Sequence, residues 1–267
     1  MALSLTSSKI APQGAAQLGL SRKGPALFWT LTEGMRASAE VTSFIALRRL
    51  MTKLPKGDGH PVIFFPGFVA SDRSTKPMRR LLGDLGYKTY GWGLGRNLVF
   101  NDIREAKMNA LLKRVYMQHG QKVSIVGWSL GGVFAREVAK TYPEMVRSVI
   151  TLGSPISGDI DHSNARRLYE YFNGKPDAKM QERLASINVA PPVPTTSIYT
   201  KTDGVVAWKG SIQRPGKTPS ENICVPASHI GLGVNPLVMA ALADRLAQDE
   251  GAWAPFEAEG FKRFLYS

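Results

Sequence analysis

A serine hydroxyl attacks a carbonyl carbon usefully only when it is held exposed, beside a base and facing hydrogen-bond donors. One stretch of this chain could meet all three demands: Val123-Ser124-Ile125-Val126-Gly127-Trp128-Ser129-Leu130-Gly131-Gly132, an apolar run, then Gly-x-Ser-x-Gly, then a helical pattern. A sharp strand-to-helix turn would lift Ser129 out of the chain, with Gly127 and Gly131 where a side chain would clash. Gly132 and Ala135 let the next helix lie close to a sheet, and Pro143 ends that helix at Tyr142. The bland alternative is a structural turn. The strand before it and the helix after it favour a nucleophile.

The chain holds four histidines, His60, His119, His162 and His229. Where nucleophile, acid and base follow one another along the chain, the base is C-terminal to both partners. His60 and His119 precede Ser129, and His162 comes too soon after the next strand to leave room for an acid. His229 remains, on a loop after the strand in Asn222-Ile223-Cys224-Val225-Pro226-Ala227-Ser228-His229, where an imidazole can reach across to a hydroxyl. A solvated loop histidine is the competing reading. The acid should follow the penultimate strand. Thr195-Thr196-Ser197-Ile198-Tyr199-Thr200 is rich in β-branched residues and leads into Lys201-Thr202-Asp203-Gly204, making Asp203 the orienting carboxylate. Asp-Gly is also a turn signal, and Asp159 and Asp161 are rivals on the previous connection.

Acyl transfer also needs two backbone N–H groups aimed at the developing oxyanion. Leu130, after the serine, supplies one. The strand Pro61-Val62-Ile63-Phe64-Phe65 runs into Pro66-Gly67-Phe68, and the amide of Phe68 supplies the other. Phe64, Phe65, Phe68, Val69, Trp128 and Leu130 would surround the reacting atoms with apolar groups, which suits an uncharged acyl group. Trp128, Val69 and Arg96 are the pocket candidates. Gly91-Trp92-Gly93-Leu94-Gly95-Arg96-Asn97 lacks the G-x-G-x-x-G spacing of a dinucleotide turn. There is no P-loop, no Cys/His set at metal-ligand spacing and no carboxylate pair suggestive of a metal-assisted mechanism, so the expected chemistry requires no cofactor and no metal.

The elements that must position these groups alternate. Strands are expected at 61–65, 87–92, 122–127, 146–152, 195–200 and 221–226, with helices over 78–85, 102–119, 130–142 and 236–248. This predicts an α/β fold, a mostly parallel sheet of about six strands with helices on both faces and a ligand at the C-terminal strand ends. Residues 1–24 show no periodic pattern. Glu33 to Leu54 carries Val41, Phe44, Ile45, Leu47, Leu50, Met51 and Leu54 at near-helical spacing, the pattern of a helix packed on the flank of the core. Cys224, the single cysteine, sits in an expected strand as a small buried hydrophobe.

Pro66-Gly67-Phe68, Gly127-Trp128-Ser129-Leu130-Gly131-Gly132, Asp203-Gly204-Val205-Val206 and Ser228-His229 fall in an order and spacing that resembles the α/β-hydrolase superfamily, and within it compact bacterial lipases and carboxylesterases. The likeness covers about 58–248. It departs where Pro66-Gly67 replaces the common His-Gly and where Trp128 stands in a place often held by histidine. The resemblance implies an α/β-hydrolase domain at 58–250, preceded by a one-helix extension (1–57) and followed by a tail (251–267). It also implies that the long excursion 154–194, with Pro191, Pro192 and Pro194, is a small helical cap, the alternative being decoration remote from substrate. The loop bearing Arg96 and Asn97 would border the site entrance, as rim, loop support or plain structure.

The chain has 267 residues, enough for one sizeable α/β domain, and 34 basic against 21 acidic side chains, a net charge of +13. The basic residues lie in scattered pairs, Arg48-Arg49, Arg79-Arg80, Lys113-Arg114 and Arg166-Arg167, without a nucleic-acid motif. A solvated basic surface with weak affinity for anionic interfaces is expected rather than nucleic-acid binding. No apolar run is long enough to span a membrane, no signal-peptide pattern opens the chain, and a lone cysteine points to no oxidising compartment, so cytoplasm is the default. The expected activity is carboxylic ester hydrolysis through an acyl-enzyme on Ser129, acting on a small or lipid-like ester. Two rivals stay open: an acyltransferase using the same acyl-enzyme with an alcohol or amine acceptor, and a non-catalytic module binding a polyanion.

Overall fold

The structure is a computed structural model that describes residues 24–98, 101–157, 186–258 and 260–266. Six strands form one wholly parallel sheet: β1 (Pro61–Phe65), β2 (Lys88–Gly91), β3 (Val123–Trp128), β4 (Val146–Leu152), β5 (Thr195–Tyr199) and β6 (Ser220–Cys224), in the order β2-β1-β3-β4-β5-β6. Among the described residues five α-helices accompany it: α1 (Leu27–Met51), α2 (Asp72–Asp84), α3 (Asp102–His119), α4 (Leu130–Thr141) and α5 (Pro236–Leu246). The strand order reverses direction between β1 and β3, the place where a doubly wound sheet opens a crevice beyond its strand ends. The chain thereby puts Gly67, just past β1, against Ser129, just past β3.

Successive residues of a strand point to opposite faces, so the all-apolar run Val62-Ile63-Phe64-Phe65 feeds two cores. Val62 and Phe64, with Val126, Ile150 and Ile198, pack under Met78, Leu81 and Leu82 of α2 and Val238, Met239 and Leu242 of α5. Ile63 and Phe65, with Ile125 and Val149, pack under Met108, Leu112 and Val115 of α3 and Phe134, Ala135 and Val138 of α4. Phe64 and Phe65 are thus core residues and not walls of an acyl pocket, a correction to the sequence-based expectation. Cys224 is buried in β6, as expected.

Local signals set most helix ends. Asn101 accepts the N–H of Arg104 at 2.9 Å to cap α3, and Gly120 closes that helix in the left-handed conformation. Pro143 ends α4, with Tyr142 as its last capping residue. Helix α2 starts at Asp72, six residues before the expected Met78, and contains Pro77. Ser71 and Asp72 carbonyls take the hydroxyls of Ser74 and Thr75, and the carbonyl that loses its partner to Pro77 belongs to exposed Arg73.

Helix α1 presents its apolar residues differently from expectation. Met51 is buried and Phe44 and Leu54 pack on the core, but Val41, Ile45, Leu47 and Leu50 are exposed, as are Leu27, Phe28, Leu31 and Met35. Its inner face carries Glu33 and Ala37 instead and lies against α5 and the 3-10 turn Ile230–Gly233. Of the expected cap, 158–185 lies outside the described residues, and so do Asp159, Asp161 and His162.

At the N-terminal end of the strands a buried polar network closes the sheet. His60 Nδ1 lies 2.5 Å from Asp58 Oδ1 and Nε2 lies 2.9 Å from Ser124 Oγ, while Arg147 pairs with Asp58 at 2.7 Å. Burial pulls the His60 imidazole below its usual range despite the Asp58 carboxylate.

Candidate active site

Ser129 sits between β3 and α4 with φ 52° and ψ −123°, a conformation that costs an L-residue on the order of 1–3 kcal/mol. The neighbours hold it there. Its N–H donates to Leu152 O at 2.8 Å, and the Gly132 N–H returns to Ser129 O at 3.0 Å. A Cβ on Gly127 would overlap the backbone of Gly132, and one on Gly131 would overlap the carbonyl of Phe65. Those two glycines allow the turn its tightness. A Cβ on Gly67 would come within 3.3 Å of the Ser129 Cβ, so the loops after β1 and β3 touch at the serine.

The loops after β5 and β6 bring Asp203 and His229 together. His229 Nδ1 lies 2.7 Å from Asp203 Oδ2, with both residues buried. The other carboxylate oxygen, Asp203 Oδ1, accepts the N–H groups of Val205 at 2.8 Å and Val206 at 2.7 Å. One side chain therefore fulfils both sequence readings of Asp-Gly, the turn former and the histidine partner. Burial alone would lower the His229 pKa, but the Asp203 charge and hydrogen bond, with the Glu33 carboxylate, outweigh it and hold the imidazole above its ordinary value. Gly153, just past β4, lies beside these groups. A Cβ there would stand 3.1 Å from His229 Nδ1 and 3.2 Å from Asp203 Oδ2.

Trp128, expected at the pocket, is committed to the histidine loop: its Nε1–H donates to His229 O at 3.2 Å, and its ring lies against Gly233. The residue before the serine thus fastens the loop of the histidine. On the oxyanion side, Leu130 is the first residue of α4, where an N–H has no acceptor within the helix. Phe68 is half-buried, and Val69 is exposed with φ 57°, an outlier for a β-branched residue. Asn97 pins this loop. It is fully buried, accepts Val69 N–H at 2.8 Å, donates its own N–H to Ala70 O at 2.8 Å and sends Nδ2–H to Pro66 O at 2.9 Å. Of the roles open to Asn97 in the sequence, loop support fits these bonds. Arg96 is exposed, and its carbonyl accepts from Arg104 at 2.8 Å. The other described histidines are engaged elsewhere, His60 in its network and His119 with the Tyr90 hydroxyl at 2.6 Å.

Sequence reasoning missed Glu33, Arg36 and Glu40 of α1, which bind the backbones of the Asp203 and His229 loops. A signal was present. The three recur at intervals of three and four, on the same helical stripe as Ala37, Phe44 and Met51.

The pattern that defines the α/β hydrolase fold matches residues 65–179. Over 62 residues the chain is 37% identical to the pimeloyl-[acyl-carrier protein] methyl ester esterase of Citrobacter koseri, a stretch that is 23% of this chain and 23% of that protein. Among solved structures, Aspergillus fumigatus lipase B superposes with a TM-score of 0.58 at 19% identity, covering 75% of this chain and 55% of the lipase. Paleococcus ferrophilus monoacylglycerol lipase superposes with a TM-score of 0.51 at 12% identity, covering 73% of this chain and 96% of that one. The match to the esterase is thus confined to about a quarter of its length, while the structural likeness spans the sheet and its helices. With its parallel sheet, its strained serine elbow and its ordered loops, the chain has the α/β-hydrolase fold.

Proposed function

We propose that this protein is a carboxylic ester hydrolase that works through an acyl-enzyme on Ser129. The observation that carries the reading is the strained Ser129 elbow, whose neighbour Trp128 bonds the His229 carbonyl at 3.2 Å, together with the His229–Asp203 hydrogen bond. In this mechanism His229 Nε2 takes the hydroxyl proton as Ser129 Oγ bonds to the acyl carbon, and the carbonyl π pair moves onto oxygen. The amides of Phe68 and Leu130 stabilise that oxyanion. Collapse breaks the ester C–O bond, the alcohol leaves with the proton from His229, and a water deprotonated by His229 releases the acid. Asp203 fixes the imidazole tautomer and stabilises the imidazolium.

Half-buried Leu130 follows the serine, half-buried Phe68 and exposed Val69 follow Gly67, which touches it, and these apolar residues favour an uncharged acyl group. The lipase and esterase names of the similar proteins support the reaction class. Among the described residues no helix is long and apolar enough to cross a membrane, and a small-molecule ester is the substrate class that suits the fold. The test is a fluorophosphonate probe with p-nitrophenyl esters of graded length. Wild type should be labelled and hydrolytic, and Ser129→Ala should be neither. An unlabelled wild type would refute the acyl-enzyme. Ester product in place of free acid when an alcohol is added would turn the reading to acyl transfer.

A further inference from the structure

Glu33, Arg36 and Glu40 share one face of α1, and all three reach the loops that bear Asp203 and His229. Glu33 is only 4% exposed. Its Oε1 accepts the N–H of Gly204 at 2.8 Å and of His229 at 3.1 Å, and its Oε2 accepts the N–H of Ile230 at 3.0 Å. Arg36 pairs with Glu33 at 2.9 Å and donates to Ala227 O at 3.1 Å and Thr202 Oγ1 at 3.4 Å. Glu40 accepts the Ser228 N–H at 2.8 Å, the Ser228 hydroxyl at 2.5 Å and Asn235 Nδ2 at 3.1 Å. Thr30 adds a bond from Oγ1 to Gly204 O at 2.7 Å.

A buried carboxylate is tolerated only where donors surround it. For Glu33 those donors come from both loops at once. One of them is the amide of His229 itself, and another belongs to the residue after Asp203. The distance between acid and base along the Nδ1–Oδ2 bond is therefore fixed through a single side chain from outside the sheet. We infer that α1 is a working part of the hydrolytic site, with Glu33 the positioning residue that sets Asp203 and His229 in register, Arg36 fastening the same two loops and Glu40 the loop of His229. The inference rests on the assignment of Ser129, Asp203 and His229 above. It extends that assignment to a helix that precedes the matched stretch 65–179.

Glu33 also contributes negative charge beside the imidazole, which gives the role a signature beyond stability. The other charged groups near this loop are accounted for among the described residues. Asp203 lies on the loop after β5, and Arg36 and Glu40 lie on α1. Helix α2 packs against the turn 230–233, but its Asp72 binds the N–H groups of Trp92 and Gly93, its Arg79 binds within the helix, and Arg73, Lys76 and Arg80 face outward or are partly exposed. On α5, Asp244 and Arg245 pair with each other.

The experiment compares the full-length wild type with Glu33→Gln, Arg36→Met and Ser129→Ala, measuring kcat and KM on p-nitrophenyl butyrate across pH, with circular dichroism to verify folding. Glu33→Gln should lower kcat by about ten- to a hundredfold with KM little changed, as expected for a misplaced base. The midpoint of its kcat/KM profile should move to lower pH, because the imidazolium loses a stabilising anion. Arg36→Met should move the midpoint to higher pH, because the Glu33 charge loses its cation. A helix that merely adds stability would shift neither midpoint. Midpoints unmoved in both folded variants would overturn the inference while Ser129→Ala, inactive, leaves the ester-hydrolase reading standing. An active Ser129→Ala would overturn both. If Glu33→Gln does not fold, Arg36→Met decides: an upward shift supports the role, and no shift overturns it.

Discussion

The strained backbone of Ser129 and the doubly employed carboxylate of Asp203 define what single substitutions should do. Ser129→Ala removes one oxygen from a site that glycine packing holds in shape, so the fold should persist while kcat/KM on p-nitrophenyl esters falls by about 10⁴ or more. His229→Ala should fall comparably. Asp203→Ala loses the imidazole partner and also the acceptor for the Val205 and Val206 N–H groups, so it should lose both activity and some thermal stability. A merely slowed, fully stable Asp203→Ala would contradict the double role. The pH profile follows from the direction of the His229 shift. In the proposed mechanism the neutral imidazole is the base, and the folded protein holds the proton more tightly than a free imidazole with its value of 6.5. The rise of kcat/KM should therefore lie above that pH, and a rise centred below it would show that burial, not Asp203 and Glu33, governs the group. Asn97→Ala removes the bond to Pro66 O under the Phe68 amide, and a roughly tenfold or greater loss in kcat is expected, with KM the less affected constant.

Among the elements, the elbow is the least tolerant of change. Gly131→Ala would press a methyl into the Phe65 carbonyl, backbone against backbone, and should destabilise by about 1–3 kcal/mol or more, read as a lowered melting temperature with loss of fluorophosphonate labelling. A stable, labelled Gly131→Ala would mean that β1 and α4 can separate. These elements were legible because their signals are local: β-branched or apolar runs for strands such as β1, β3 and β5, and Pro143 for the end of α4. Chain order singled out Asp203 and His229, and the structure brings these two side chains within hydrogen-bond distance. Two things were not legible. The helix expected over 78–85 begins at Asp72, where the hydroxyls of Ser74 and Thr75 bond the carbonyls of Ser71 and Asp72. Counting apolar residues also misassigned the inner face of α1. The face it buries is selected by hydrogen bonds to Gly204, Ser228, His229 and Ile230, partners about two hundred residues away along the chain that no local pattern announces.

For the whole molecule, two buried imidazoles at opposite ends of the sheet make stability depend on pH in opposite senses. His60 has a lowered pKa in the folded protein, so its contribution is complete above the unfolded value of 6.5 and is lost as pH falls below it. Asp58 is held well below its ordinary 3.8 by the His60 and Arg147 hydrogen bonds, against the opposing effect of burial, and adds a second loss below that pH. His229, with a raised pKa, contributes below 6.5 and loses its contribution as pH rises through the folded value. Denaturant midpoints should thus fall on both sides of neutrality, and His60→Gln should flatten the first acid decline. An unchanged slope between pH 6.5 and 4 in that variant would exclude His60 as its source. Heat should expose a different division. Helix α1 buries only Ala37 and Met51 among its apolar side chains, so it can lift from the body at a smaller free-energy cost than the sheet can unravel. Once it lifts, the loops of Asp203 and His229 lose the bonds of Glu33 and Arg36 and are left with those that Thr200 and Thr202 make to Ala227 O. Warming should accordingly silence the enzyme reversibly while calorimetry still records a folded protein, so that inactivation and melting form two separate transitions.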